Sequence, residues 1–333
     1  MSAESNFIEG LRAIATHPGA RGLNDDAAVL EVAQGALVLT HDMLIEGVHY
    51  LPDDPPETVA WKLVAVNMSD LAAKGARPMG VLLGFTLMGD EAWDRNFTAG
   101  LKVALDHFAV PLLGGDTVAM PPDTSGGAPR ALGLTAIGSA PSCGAPSRAG
   151  AKPGDLIFVS GSIGDAGAGL ALLQGEIETI DAWARAALID AYRRPAPDLA
   201  LGQALAPMVS AMADISDGLL IDADRMARAS GCAICIDLDA VPLSPAYVAA
   251  RGTAPANHLT AATAGDDYRL LFALAPAKEV ALKALAEATG TTLTRVGQCE
   301  DGNGLKLRME GRDMPLPERL GHEHDAAQKS ARR

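Results

Sequence analysis

Asp214, Ser216 and Asp217 close a short apolar run and precede Gly218. Residues 209–213 read as a buried strand, Gly218 permits a sharp turn, and 219–230 has the pattern of a helix. Acids at the carboxyl end of a strand, on the turn into a helix, stand where open α/β sheets hold ligands. Helix capping would account for Asp217 alone, not for all three polar groups. The arrangement recurs along the chain. Asp25 and Asp26 precede a strand beginning at Ala27, and Thr40, His41 and Asp42 end a strand at 36–40. Gly114, Gly115, Asp116 and Thr117 follow a short strand at 110–113, and Gly265, Asp266 and Asp267 precede a strand at 268–274. Asp70 lies on a helix, on the same polar face as Asn67.

If these carboxylates converge, their mutual repulsion needs a cation. Hard oxygen donors suit Mg²⁺, which bridges a few carboxylates to substrate phosphates. Sequence signatures of other phosphate and hydrolytic chemistries are absent: no glycine-rich loop ends in Lys-Ser or Lys-Thr, and there is no GxSxG elbow and no HExxH. The residues therefore point to a metal-dependent phosphate enzyme on an α/β scaffold.

Several elements must position these groups. Pro55 and Pro56 open a helix whose buried stripe is Trp61, Val64, Met68 and Leu71, ended by Gly75 and Pro78. A strand at 78–87, a helix at 90–108 and a strand at 130–140 follow. Residues 141–153, rich in Ser, Gly, Pro and Ala, mark a boundary near residue 147. That gives a first domain at 1–147 and a second at 148–325. Glycines at 161, 164, 167 and 169 lie between a strand and a helix, where close approach to phosphate is expected, although their spacing is not GxGxxG. The remainder alternates strands and helices.

The composition bounds the partners. The 333 residues are 48 % hydrophobic and 4 % aromatic with a net charge of −14, which disfavours nucleic acid and anionic membranes. No apolar run approaches the roughly 20 residues of a membrane span, and the first residues do not read as a signal peptide. Cys232 and Cys235 form a lone CxxC without further metal ligands, so the four cysteines read as thiols of a cytoplasmic protein.

The segments GLNDDAAVL, THDMLIEGVH, AVNMSDLAAKGARP, LLGGDT, SRAGAKPGD, DISDGLLID and GDDYRLLF occur in this order. Together they resemble the bacterial thiamine-monophosphate kinase family, within the superfamily of aminoimidazole ribonucleotide synthetase. The resemblance implies a two-domain α/β fold. The N-terminal domain would pair with its copy across a homodimer into a mixed barrel, and the C-terminal domain would be α/β. It implies transfer of phosphate from ATP to thiamine monophosphate with several Mg²⁺ ions, ATP lying between the domains. Positions matching metal ligands are Asp26, Thr40, Asp42, Asp70, Asp116, Asp214 and Asp217. Gly115, Asp116, Arg148 and Ser216 match nucleotide contacts; His49 and Asp266 match substrate contacts, and His322 stands near a position where the family often has an aromatic. The implied mechanism names no general base and relies on charge stabilisation by the metals and Arg148.

Three departures bear on substrate detail. His41 stands where the family commonly has a second hydroxyl, Asp266 is one methylene shorter than the family's Glu, and Arg269 reverses a charge. The alternatives are another ATP-using member of the superfamily, or a binder of nucleotide and thiamine phosphate without turnover. The chain lacks the C-terminal cysteine motif of the carbamoyl dehydratase and the Cys-containing glycine-rich segment of selenophosphate synthetase.

Overall fold

The computed structural model describes residues 10–18, 35–120, 128–177 and 180–322. Asp25 and Asp26 lie outside the described residues. The chain forms two compact units, Met1–Pro146 with Arg193–Pro207, and Ser147–Tyr192 with Met208–Arg333.

The first unit holds a four-stranded sheet of β1 (Leu37–Ile45), β2 (Arg77–Leu87), β3 (Leu112–Ala119) and β4 (Ala131–Ser139), in the order β1-β4-β2-β3. β4 is antiparallel to both neighbours, whereas β2 and β3 are parallel. Helix α1 (Pro56–Ala73) starts on a proline, whose missing N–H goes unneeded in a first turn. Its stripe of Trp61, Val64, Met68 and Leu71 is buried, but so are Lys62, Asn67 and Ser69. The helix packs against β1, β4 and helix α2 (Glu91–His107), and little of it meets water. Asn67 is fully buried, and its side-chain amide donates to the Leu63 carbonyl at 3.0 Å. Asp90 caps α2 by accepting from the amides of Ala92 and Trp93.

β3 runs further than the sequence predicts. Gly114 to Thr117 are strand residues, paired with Leu82 to Phe85 of β2. Gly and Asp locally favour turns, but pairing with a neighbouring strand overrides that preference. Gly115 has φ +154°, and a Cβ there would lie 1.8 Å from the Leu83 carbonyl oxygen.

The second unit holds a seven-stranded mixed sheet, ordered β11-β10-β7-β9-β5-β8-β6. Its strands are β5 (Leu156–Ser160), β6 (Ala211–Ile215), β7 (Ala233–Asp237), β8 (Arg269–Leu274), β9 (Leu293–Glu300), β10 (Gly304–Met309) and β11 (Arg312–Met314). β5 and β6 are buried along their whole length, which explains their unbroken apolar patterns. Cys232, Cys235 and Cys299 are buried free thiols, and burial pushes the Cys235 thiol up to about 11.

The glycines at 164, 167 and 169 allow close packing. Helix α3 (Asp165–Leu173) lies against the helix Pro255–Thr263 and α4 (Ala182–Arg193). A Cβ on Gly164 would lie 2.6 Å from the Ala261 Cβ, and one on Gly169 would lie 2.0 Å from the Leu188 carbonyl oxygen. The Gly164 amide is also engaged, donating to both carboxylate oxygens of buried Asp267 at 3.0 and 2.9 Å.

Candidate active site

In the first unit, β1 alternates between two faces. Val38, Thr40, Asp42 and Leu44 lie on the side of α1, and Leu37, Leu39, His41 and Met43 on the other. The Thr40 hydroxyl donates to the Asp70 carboxylate on α1. Thr40, Asp42 and Asp70 therefore share one face. His41 projects from the opposite face, where its Nδ1 stands 2.8 Å from the Thr135 hydroxyl. The register places Asp116 in the row Met43, Gly133, Gly84, Asp116, also on that opposite face. Asp116 is exposed on the edge strand β3, and its carboxylate accepts from the Thr117 amide at 3.0 Å.

His49 follows β1. Its Nδ1 accepts from the Ile45 amide at 3.0 Å, so the neutral ring carries its proton on Nε2. Its carbonyl accepts from buried Lys62 Nζ at 3.1 Å.

In the second unit, one turn gathers most of the expected residues. Asp214, the last residue but one of the buried strand β6, is 6 % exposed. The turn at Ser216 and Asp217 then leads into α6 (Leu219–Ser230). Three backbone hydrogen bonds tie two other segments to it. The Tyr268 amide donates to the Ile215 carbonyl, the Asp266 amide to the Ser216 carbonyl, and the His322 amide to the Asp217 carbonyl, each at 2.8 Å. Asp266 and Tyr268 both have positive φ, +69° and +48°, and the Tyr268 hydroxyl donates to Asp266 Oδ1 at 3.0 Å. Non-glycine residues in this region carry roughly 1–3 kcal/mol of strain each, a cost tolerated at sites where placement matters.

Arg148 is exposed, and its segment is pinned at the start of β6 and the last turn of α6, the opposite end of both from the Ser216–Asp217 turn. The Ser147 carbonyl accepts from the Met212 amide of β6 at 2.9 Å, and the Ser230 hydroxyl oxygen accepts from the amides of Gly150 and Ala151 at 3.2 Å each.

Asp222 on α6, fully buried, was not anticipated. One of its oxygens accepts from the Ser216 and Asp217 amides at 3.1 and 3.2 Å, and the other from Arg225 Nη1 at 2.9 Å. The same Nη1 donates to Asp217 Oδ2 at 2.6 Å. Burial pushes the Asp222 carboxyl up, while Arg225 pulls it back. Burial opposes the Arg225 charge, but its bonds to Asp217 and Asp222 hold the guanidinium above its ordinary value. Burial likewise pushes Asp267 well above the usual carboxylate range, against the Gly164 amide.

Among the described residues, no three His, Cys, Asp or Glu side chains gather as a metal cage. The donor chemistry still fits Mg²⁺. That ion takes one or two carboxylates and completes its shell with water and substrate phosphate. Asp42 and Asp70 with the Thr40 hydroxyl form such a partial set of hard oxygens. At Asp217, Arg225 Nη1 is the cationic partner of Oδ2.

The chain matches the family model "AIR synthase related protein, N-terminal domain" over residues 24–140, and the corresponding C-terminal domain model over 152–310. It is 40 % identical to the thiamine-monophosphate kinase of Caulobacter vibrioides, across 92 % of this chain and 86 % of the relative. The chain belongs to the thiamine-monophosphate kinase family. The crystal structure of the thiamine-monophosphate kinase from Stenotrophomonas maltophilia superposes with a TM-score of 0.81 at 34 % identity, covering 94 % of this chain and 97 % of that one. AaThiL complexed with AMPPCP and TMP superposes with a TM-score of 0.73 at 31 % identity, covering 90 % of this chain and 91 % of that one.

As a thiamine-monophosphate kinase, the chain is a phosphotransferase that uses ATP and has the two-domain fold its sequence implies. Sequence reasoning missed Asp222, Arg225 and Asp267. Asp267 was visible as half of an acid pair. Asp222 reads as an ordinary acid in a helical first turn, and only its contact with the preceding turn gives it another role.

Proposed function

We propose that the chain transfers the γ-phosphoryl group of ATP directly and in line to the phosphate of thiamine monophosphate, with Mg²⁺ between the two anions. The observation that carries this reading is the turn at Ser216 and Asp217, whose carbonyls hold Asp266 and His322 in place. The acceptor is a phosphate monoester with a second pKa of about 6, so near neutral pH it is largely a dianion and needs no general base. What it needs is neutralised charge and alignment for a loose transition state. Bound Mg²⁺ would supply the charge stabilisation.

The metal donors are assigned as Thr40, Asp42 and Asp70 on one face of the first unit's sheet, Asp116 separately on its opposite face, and Asp214 and Asp217 in the second unit, with Asp26 added from the sequence alone. Gly115 and Asp116, and in the second unit Arg148 and Ser216, are the assigned nucleotide contacts. Arg148 can offer a bidentate guanidinium to phosphate. His49 presents Nε2–H as a donor to the substrate phosphate, and the Asp266 carboxylate suits the cationic thiazolium ring. His322, whose amide donates to the Asp217 carbonyl of the turn that also holds Asp266, is assigned to the thiamine rings. His41 points away from Thr40 and Asp42, so it does not take over a hydroxyl ligand there.

A homodimer completes the proposal. Leu37, Leu39 and Met43 are 43, 65 and 50 % exposed, all on the face of β1 away from α1, an apolar surface suited to a second copy of the sheet. Free buried thiols accord with the reducing cytoplasm, and no helix among the described residues is long and apolar enough to cross a membrane. Alanine at Asp42 tests the site: turnover should be lost, and full activity would contradict the assignment.

A further inference from the structure

We infer that Asp222 and Arg225 are positioning residues that hold one oxygen of Asp217 and present the other to a divalent cation. The inference rests on the reading of Asp217 as a metal ligand.

Asp222 is anchored on a rigid platform. α6 buries Leu219, Leu220, Ala223, Met226 and Ala227, and its carboxylate is fully enclosed. Both oxygens are engaged, Oδ2 by the amides of Ser216 and Asp217 and Oδ1 by Arg225 Nη1. The acid therefore fixes the backbone of the turn that carries the two neighbouring site residues. Arg225 Nη1 then bridges from Asp222 to Asp217 Oδ2, at 2.9 and 2.6 Å.

The bridge cannot simply be displaced by an incoming metal. Removing Arg225 from Asp222 would leave a carboxylate uncompensated in the core, which is strongly unfavourable. The guanidinium thus stays with Asp222 and keeps its hold on Asp217 Oδ2. Asp217 is left with Oδ1 for a cation, as a one-oxygen ligand of fixed direction. If Arg225 merely occupied the cation's place, its loss would instead strengthen metal binding.

Mn²⁺ titration of the full chain without nucleotide, followed by the electron paramagnetic resonance of free Mn²⁺, separates these outcomes. The chains compared are the wild type, Asp217→Asn, Asp222→Asn, Arg225→Gln and Arg225→Lys, each checked for native circular dichroism. The expected result is that Asp217→Asn, Asp222→Asn and Arg225→Gln all weaken the same Mn²⁺ site, the last two by about tenfold, and that Arg225→Lys recovers part of the loss. Unchanged or tighter binding in Arg225→Gln, with weakened binding in Asp217→Asn, overturns the inference and leaves the metal reading intact. No effect of Asp217→Asn removes Asp217 from the metal site, and the inference falls with it.

Discussion

The Thr40 hydroxyl donates to the Asp70 carboxylate, joining β1 to α1 across thirty residues of chain. The bond aligns a hydroxyl and a carboxylate on the face that also carries Asp42. Replacing Thr40 by Val keeps the shape and deletes the donor. We expect a stability loss of about 1 kcal/mol and a rise in the Mg²⁺ concentration needed for half-maximal rate of about tenfold. Thr40→Ser should restore most of both. The Mg²⁺ dependence of turnover checks this, and a Val variant indistinguishable from wild type would remove Thr40 from the metal site.

Gly115 is the tightest backbone position on β3. An added Cβ would overlap the Leu83 carbonyl oxygen, a backbone atom that cannot move aside alone. Gly115→Ala must separate β3 from β2 and shift Asp116 with it. A loss of about 3 kcal/mol or more is expected from such overpacking, together with reduced turnover. Thermal unfolding reads the first, and wild-type stability would show that the strand yields more easily than its geometry implies.

Asp94 on α2 is 5 % exposed, and Oδ1 has no hydrogen-bond partner among the described residues. Burial raises its carboxyl from 3.8 to about 6, with Arg130, stacked on Trp93, opposing. A raised folded pKa means the native state binds this proton more tightly. The contribution to stability is then complete below about 4 and declines as pH rises to about 6. Asp94→Asn removes the dependence. The stability of the variant relative to wild type should climb across that window by up to about 3 kcal/mol, measured by urea unfolding at a series of pH values. A flat difference would place the Asp94 charge in a more solvated setting.

Leu39 tests the proposed dimer. At 65 % exposure it offers apolar surface across from Ile137 of β4. Leu39→Glu should convert a dimer to monomer in sedimentation velocity while the circular dichroism stays native. A wild-type chain that is monomeric at micromolar concentration would refute the dimer outright.

Much of this was legible because local signals agreed with the tertiary result. The strand, glycine and helix of 209–230 show hydrophobic period and turn chemistry in one stretch, and helix α6 begins and ends where the pattern predicts. The residues of that turn were recognisable as a candidate site for the same reason. What escaped depends on distant pairing. β3 hides behind turn-forming residues because only β2 makes it a strand. The face of Asp116 follows from register, which sequence does not display. Asp222 and Arg225 act through a turn that reaches them only after folding. The return of Arg193–Pro207 to the first unit rests on helix α5 (Leu199–Leu205) packing on α1, and no linker composition announces it.

The most direct test of the central claim is product analysis after incubating the chain with Mg²⁺ and ATP, with and without thiamine monophosphate, alongside Asp42→Ala. The account predicts ADP and thiamine diphosphate in equal amounts, only when thiamine monophosphate is present, and neither from the variant. ADP release that ignores thiamine monophosphate, or no thiamine diphosphate despite bound ATP, would contradict it.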